Sequence, residues 1–130
     1  MDEKKKILIA EDEKPMARAL KLKLTHEGYE VEVANDGESA MEFIDNEPFS
    51  LVLLDLVMPK KDGFKVLKEM KEKGNTTPVI VLSNLSHEED EKKVKELGAK
   101  EYFVKSNTPI ANIVSNINSF FKLIYANKRR

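Results

Sequence analysis

Cysteine is absent from the chain, which excludes disulfides, thiol catalysis and cysteine-ligated zinc. The two histidines, His26 and His87, stand alone and lack metal-ligand spacing. No charge of one sign dominates. The 22 basic and 23 acidic residues leave a formal net charge of -1, so nothing global draws the chain toward nucleic acid or an anionic membrane. No apolar run approaches the roughly eighteen residues of a membrane span, and no signal peptide is visible. These absences imply a cytoplasmic location, no membrane and no direct nucleic-acid partner. What remains suits one globular domain: 130 residues, 35% charged and 41% hydrophobic, are enough for a single core.

Short apolar runs recur along the chain: Ile7 to Ala10, Val31 to Ala34, Leu51 to Leu54, Val79 to Leu82, and Tyr102 to Val104. Their length and Val/Ile content predict strands. Helical periodicity fills the gaps. Ala17, Leu20 and Leu24 share one face, with Gly28 as the stop. Ala40, Phe43 and Ile44 form a second stripe, and Phe64, Leu67 and Met70 a third that ends near Gly74. Ser86 followed by Glu89 reads as a capping box opening a fourth helix that reaches Leu97, with Gly98 as its stop. Ile110, Ile113, Val114, Ile117, Phe120, Phe121 and Ile124 mark a fifth, the most apolar. Five strand-helix alternations predict a parallel sheet with helices on both faces, an α/β three-layer fold without linker or second domain.

In open sheets of this kind, ligands bind outside the carboxyl ends of the strands. Glu11 and Asp12 follow the first strand, Asp55 the third, Ser83 and Asn84 the fourth, and Lys105 the fifth. Singly, each has a plain role. Asp12 would cap the helix beginning near Pro15, Ser83 and Asp55 would form turns, Lys105 would be solvated, and Tyr102 would belong to the core. Together they are harder to dismiss. Capping does not require acids at two consecutive positions plus a third at a neighbouring strand end. Like charges so placed repel, and a hard cation with oxygen ligands relieves them; magnesium suits few carboxylates and retained waters. With a metal on one side and the Lys105 ammonium on the other, Asp55 has the surroundings of a phosphoryl acceptor, and Ser83 can donate to a phosphoryl oxygen.

The stretches "ILIAEDE", "LVLLDLVMPKKDG", "VIVLS" and "GAKEYFVK" occur in an order and spacing that resemble the receiver domain of two-component response regulators. The resemblance spans nearly the whole chain and implies a flavodoxin-like (βα)5 fold with strand order 2-1-3-4-5. It marks residues 1–130 as one receiver domain of the stand-alone type, with 5–125 as its folded core between a short N-terminal tail and a basic C-terminal one. It also implies Asp55 as the phosphoacceptor, magnesium (or manganese) held by Glu11, Asp12, Asp55 and the Val57 carbonyl, and Ser83 and Lys105 on the phosphoryl group. Ser83 and Tyr102 would form the switch. The implied partners are a sensor histidine kinase or histidine phosphotransfer protein, and a downstream protein meeting the face of the fourth helix, fifth strand and fifth helix. A monomer or a phosphorylation-dependent dimer is expected, acting as a switch and not as an enzyme on an external substrate.

Four departures from the family pattern stand out. Glu11 replaces the usual aspartate and alters reach. Asn84 replaces a small residue, so that it either narrows access to Asp55 or adds a donor. Val57 and Leu85, two residues past Asp55 and Ser83, cannot guide an attacking water, which predicts slow self-hydrolysis. Ser106 stands where a cis proline is usual; a non-proline cis bond costs roughly 2.5–4 kcal/mol, so the bond is either strained or trans. Three rival readings fare worse. A haloacid-dehalogenase-type phosphatase needs a second acid where Val57 stands. A flavodoxin's phosphate loop does not fit "AEDEKP". A degenerate receiver serving only as a docking module would not need Asp55, Asp12, Ser83 and Lys105 together. The charged "HEEDEKKVKE" reads as a solvated helix face, with partner docking as the alternative, and the fifth helix's wide stripe as core or a partner surface. The closing Lys128-Arg129-Arg130 reads as a solvated helix end.

Overall fold

The computed structural model describes residues 4–85 and 87–128. Five parallel strands, β1 (Lys6–Ala10), β2 (Glu30–Ala34), β3 (Leu51–Leu54), β4 (Val79–Ser83) and β5 (Glu101–Val104), pair in the order β2-β1-β3-β4-β5. Helices α1 (Lys14–His26), α2 (Gly37–Asn46), α3 (Gly63–Glu72), α4 (Glu88–Glu96) and α5 (Ile110–Lys128) connect or follow them. The expected flavodoxin-like order and the five alternations are both present.

Side-chain alternation along the strands divides the core into two layers. Leu51 and Leu53 of β3 face α1 and α5, in a layer with Ile7, Ile9, Ile80 and Leu82. Val52 and Leu54 face the other way, toward α2, α3 and α4, with Leu8, Val79 and Val81. All residues of β3 and β4 are buried, as central strands covered on both sides require. The stripe on α5 is core: Ile113, Val114, Ile117 and Phe121 are buried in the α1 layer. α1 stops where Gly28 takes φ of 101°, a conformation other residues resist.

Two details differ from expectation. α4 begins at Glu88 with His87 as its N-cap, and His87 makes no side-chain capping bond. Ser86, which the capping-box pattern assigned to that role, lies outside the described residues, as do Arg129 and Arg130 of the basic tail. α1 is entered through Glu13, also without a side-chain capping bond, so the capping role of Asp12 is not realised. Its carboxylate is left for other work.

Candidate functional site

The carboxyl ends of β1, β3, β4 and β5 bring the expected residues to one rim. Parallel registers set their depth. Ala10 pairs with Leu54, so the Asp55 amide donates to the Ala10 carbonyl at 2.9 Å and sits beside Glu11. Glu11 is anchored by its own backbone. Its N–H donates to Ala34 of β2 at 2.9 Å, and its carbonyl accepts from Asn35 Nδ2 at 2.9 Å. Behind Asp55 stands Gly63, the first residue of α3. A Cβ there would lie 2.4 Å from the Asp55 carbonyl oxygen, so only glycine lets the helix start this close.

Asp55 and Glu11 are buried, at 4% and 2% exposure. Carboxylates that deep require partners. Lys105 supplies one ammonium to both, with Nζ 2.9 Å from Asp55 Oδ2 and 2.8 Å from Glu11 Oε1. The other Asp55 oxygen accepts from the Val57 N–H at 3.2 Å. Asp12 is more accessible, and its carboxylate shares a cluster with those of Glu11 and Asp55 in which one oxygen of each lies within 4.8 Å of the others.

Charge is unbalanced in this cluster. Burial raises the Glu11 carboxyl to about 7; bonds from Lys105 and the Glu13 amide oppose that rise, and the Asp55 charge adds to it. Burial works to lower the Lys105 ammonium, but its bonds to Glu11, Glu13 and Asp55 outweigh burial and hold it above the usual lysine value. Lys105 is therefore charged at any physiological pH, while the acids around it outnumber it. An acid-rich, oxygen-only cluster with one accessible member fits a hard divalent cation.

Ser83 is fully buried at the end of β4. Its Oγ accepts the Leu85 N–H at 3.4 Å, which leaves the hydroxyl hydrogen to donate. Tyr102, half-buried on β5, packs against the α2–α4 layer and donates its hydroxyl to the Leu85 carbonyl. Burial, then the charges of Asp90, Glu91 and Asp55, push its phenol upward, so it stays a neutral donor. Ser83 and Tyr102 thus meet at Leu85, one through each backbone polar group.

The structure also decides points the sequence left open and extends its reading. The Lys105–Ser106 bond is trans, and Lys105 reaches Asp55 without a cis peptide. Asn84 acts as an acceptor: its Oδ1 takes the Ser106 N–H at 3.1 Å. Glu13 escaped notice. It lies 2.8 Å from Lys105 Nζ and is itself largely exposed. The third letter of "EDE" was its only signal, because nothing local tells which acid of a run turns inward. Val57 is 56% exposed, an apolar side chain beside the carboxylate that its amide holds.

The family model described as the response regulator receiver domain matches residues 7–118. The transcriptional regulatory protein DltR of Streptococcus agalactiae is 40% identical over 100 residues, which cover 77% of this chain and 45% of that protein. The response regulator ArlR of Staphylococcus epidermidis is 37% identical over 99 residues, covering 76% of this chain and 45% of the relative. The chain thus spans less than half the length of these curated relatives. Among solved structures, the receiver domain of the Francisella response regulator 1452 superposes with a TM-score of 0.86 at 30% identity, covering 92% of this chain and 98% of that one.

Proposed function

The chain belongs to the response regulator receiver domains of two-component systems, and from that premise we propose that Asp55 is its phosphoacceptor, drawing a phosphoryl group from a phosphohistidine. The observation that carries the reading is the single Lys105 ammonium on Asp55 Oδ2 within a cluster that otherwise consists of acids. Attack by an Asp55 oxygen on phosphorus forms the acyl phosphate P–O bond as the P–N bond to the donor histidine breaks. Lys105 faces the charge on the transferred group, and the Ser83 hydroxyl donates to one of its oxygens.

Glu11, Asp12, Asp55 and the Val57 carbonyl would hold magnesium, for which manganese could substitute, and the bound cation would supply positive charge to offset that of the phosphoryl group. A sensor kinase or histidine phosphotransfer protein would be the donor, and the output a changed contact with a downstream protein at the face of α4, β5 and α5. The link is Leu85, whose amide bonds Ser83 and whose carbonyl bonds Tyr102, so drawing Ser83 toward a phosphoryl group tugs on the aromatic residue. The cytoplasm is the compartment that this chemistry implies. No described helix is long and apolar enough to cross a membrane.

Intact-mass measurement after incubation with magnesium and acetyl phosphate tests the assignment. The parent gains one phosphoryl group and Asp55→Asn gains none; equal gain by both would remove Asp55 from its role, and no gain by the parent would favour a docking module. The protein acts as a switch, not a turnover catalyst, so consumption of acetyl phosphate follows the slow loss of the mark. With Val57 and Leu85 flanking the site, that loss takes minutes or longer; a half-life of seconds with magnesium present would contradict it.

A further inference from the structure

The β4–β5 ladder ends at the Ser83–Val104 pair. One residue further, the strands part: β5 turns into a 3-10 turn over Lys105–Asn107. Here a side chain takes over from the ladder, as Asn84 Oδ1 accepts the Ser106 N–H at 3.1 Å. The bond joins the residue after Ser83 to the residue after Lys105. Its two ends therefore flank the two groups assigned to the phosphoryl oxygens.

The backbone of Lys105 is thus held from both sides. Before it, Val104 is paired to Ser83, and its carbonyl accepts the Thr108 hydroxyl at 2.9 Å. After it, the other bond near the turn is the Thr108 N–H to the Lys105 carbonyl at 3.3 Å, which closes the turn on itself without fixing it to the sheet. Among the described residues, the Asn84 bond is the one that ties the far side of Lys105 to the end of β4. Because the Lys105–Ser106 peptide is trans, its N–H is presented to Asn84 by an ordinary backbone, with no isomer to maintain. Lys105 carries its ammonium across to β1 and β3 from this one anchored point, and its side chain is only 7% exposed along the way. A small displacement of the anchor is carried to the ammonium that faces the phosphoryl group.

We propose that Asn84 is a positioning residue for Lys105, acting through the Ser106 amide to hold the β5–α5 turn against the end of β4. The proposal rests on Asp55 being the phosphoacceptor. Asn84 also stands beside the site, so it has a second conceivable effect, obstruction of the donor's approach. The two effects have opposite signs. Loss of a positioning bond slows phosphorylation, whereas loss of an obstruction speeds it.

A double-mutant cycle of Asn84→Ala and Ser106→Pro, read as the rate of Asp55 phosphorylation by acetyl phosphate with magnesium, tests this. Proline removes the N–H, so Asn84 has nothing left to hold. Asn84→Ala slows the parent about three- to tenfold, the range expected for one net hydrogen bond, and has no further effect in the Ser106→Pro background. Faster phosphorylation by Asn84→Ala, or an equal effect in both backgrounds, overturns the proposal. An independent measure needs no phosphate. The Ser106 amide proton exchanges more slowly than the Asn107 amide in the parent and loses that protection in Asn84→Ala; an unprotected Ser106 amide in the parent overturns it as well. If the parent takes up no phosphoryl group while its Ser106 amide is protected, the phosphoacceptor reading fails and the bond stands.

Discussion

α3 and α4 lie on the same face of the sheet and are of nearly equal length, ten and nine residues, yet they are held by different means. α3 buries Gly63, Val66, Leu67 and Met70, and its N-terminus is capped by Asp62, which accepts the Lys65 N–H at 2.9 Å. α4 buries Val94 alone, and its N-cap His87 makes no side-chain capping bond. At about 1.5–3 kcal/mol for each large apolar side chain buried, α3 is fastened several times more strongly. Charge order supplies α4 with much of its remaining stability: Glu88, Glu89, Asp90 and Glu91 open it, and Lys93 and Lys95 close it, all in the sense the helix dipole favours. The functional consequence follows from what each helix abuts. α3 begins against the backbone of Asp55, where rigidity is wanted, and α4 follows Leu85, where the Ser83 and Tyr102 bonds meet. The strong helix backs the candidate site and the weak one borders the proposed output face.

The largest test of this contrast is core truncation. Leu67→Ala costs about 2–5 kcal/mol in denaturant unfolding, as is usual for a fully packed leucine. Val94→Ala removes less hydrocarbon and costs about 1.5 kcal/mol. Equal losses at the two positions would break the comparison. Native-state amide exchange sharpens it: α4 amides open with free energies about 2 kcal/mol or more below those of the α3 interior, which approach the global value. Uniform protection across the two helices would show that α4 is no looser than α3. The smallest effects lie at the caps. Asp62→Ala costs about 1 kcal/mol, His87→Ala changes almost nothing, and His87→Asp slows exchange in α4 by placing a capping carboxylate where the imidazole makes no such bond. A destabilising His87→Ala would mean that α4 has an anchor beyond those described.

Much of this was legible before any coordinates. Two periods, one for strands and one for helices, located all five strands and all five α-helices, while the 3-10 turn over Lys105–Asn107 gave no such signal. Burial on both faces of β3 leaves an unbroken apolar run, and Asp55 stood out against it: an acid closing such a run is placed by the strand, not by its own preferences. What stayed hidden were the choices made by long polar side chains. Glu13 and Lys105 lie 92 residues apart, and Asn84 and Ser106 lie 22 apart. Periodicity carries no information on which hydrogen-bonding groups meet after the chain returns. The four consecutive acids at 88–91 favour any start nearby, so they fix the existence of α4 better than its first residue.

Gly63 acts as a backstop. α3 is seated so close that even a methyl group at Gly63 would collide with the Asp55 carbonyl, so on the proposed reading a phosphoryl group would be added to a side chain whose backbone is braced from behind. On the proposed reading, displacement is easier toward Ser83 and α4, where Val94 is the one buried residue of the helix. On that reading the packing itself gives the signal a direction: one wall of the site is closely packed, and the other is lightly fastened.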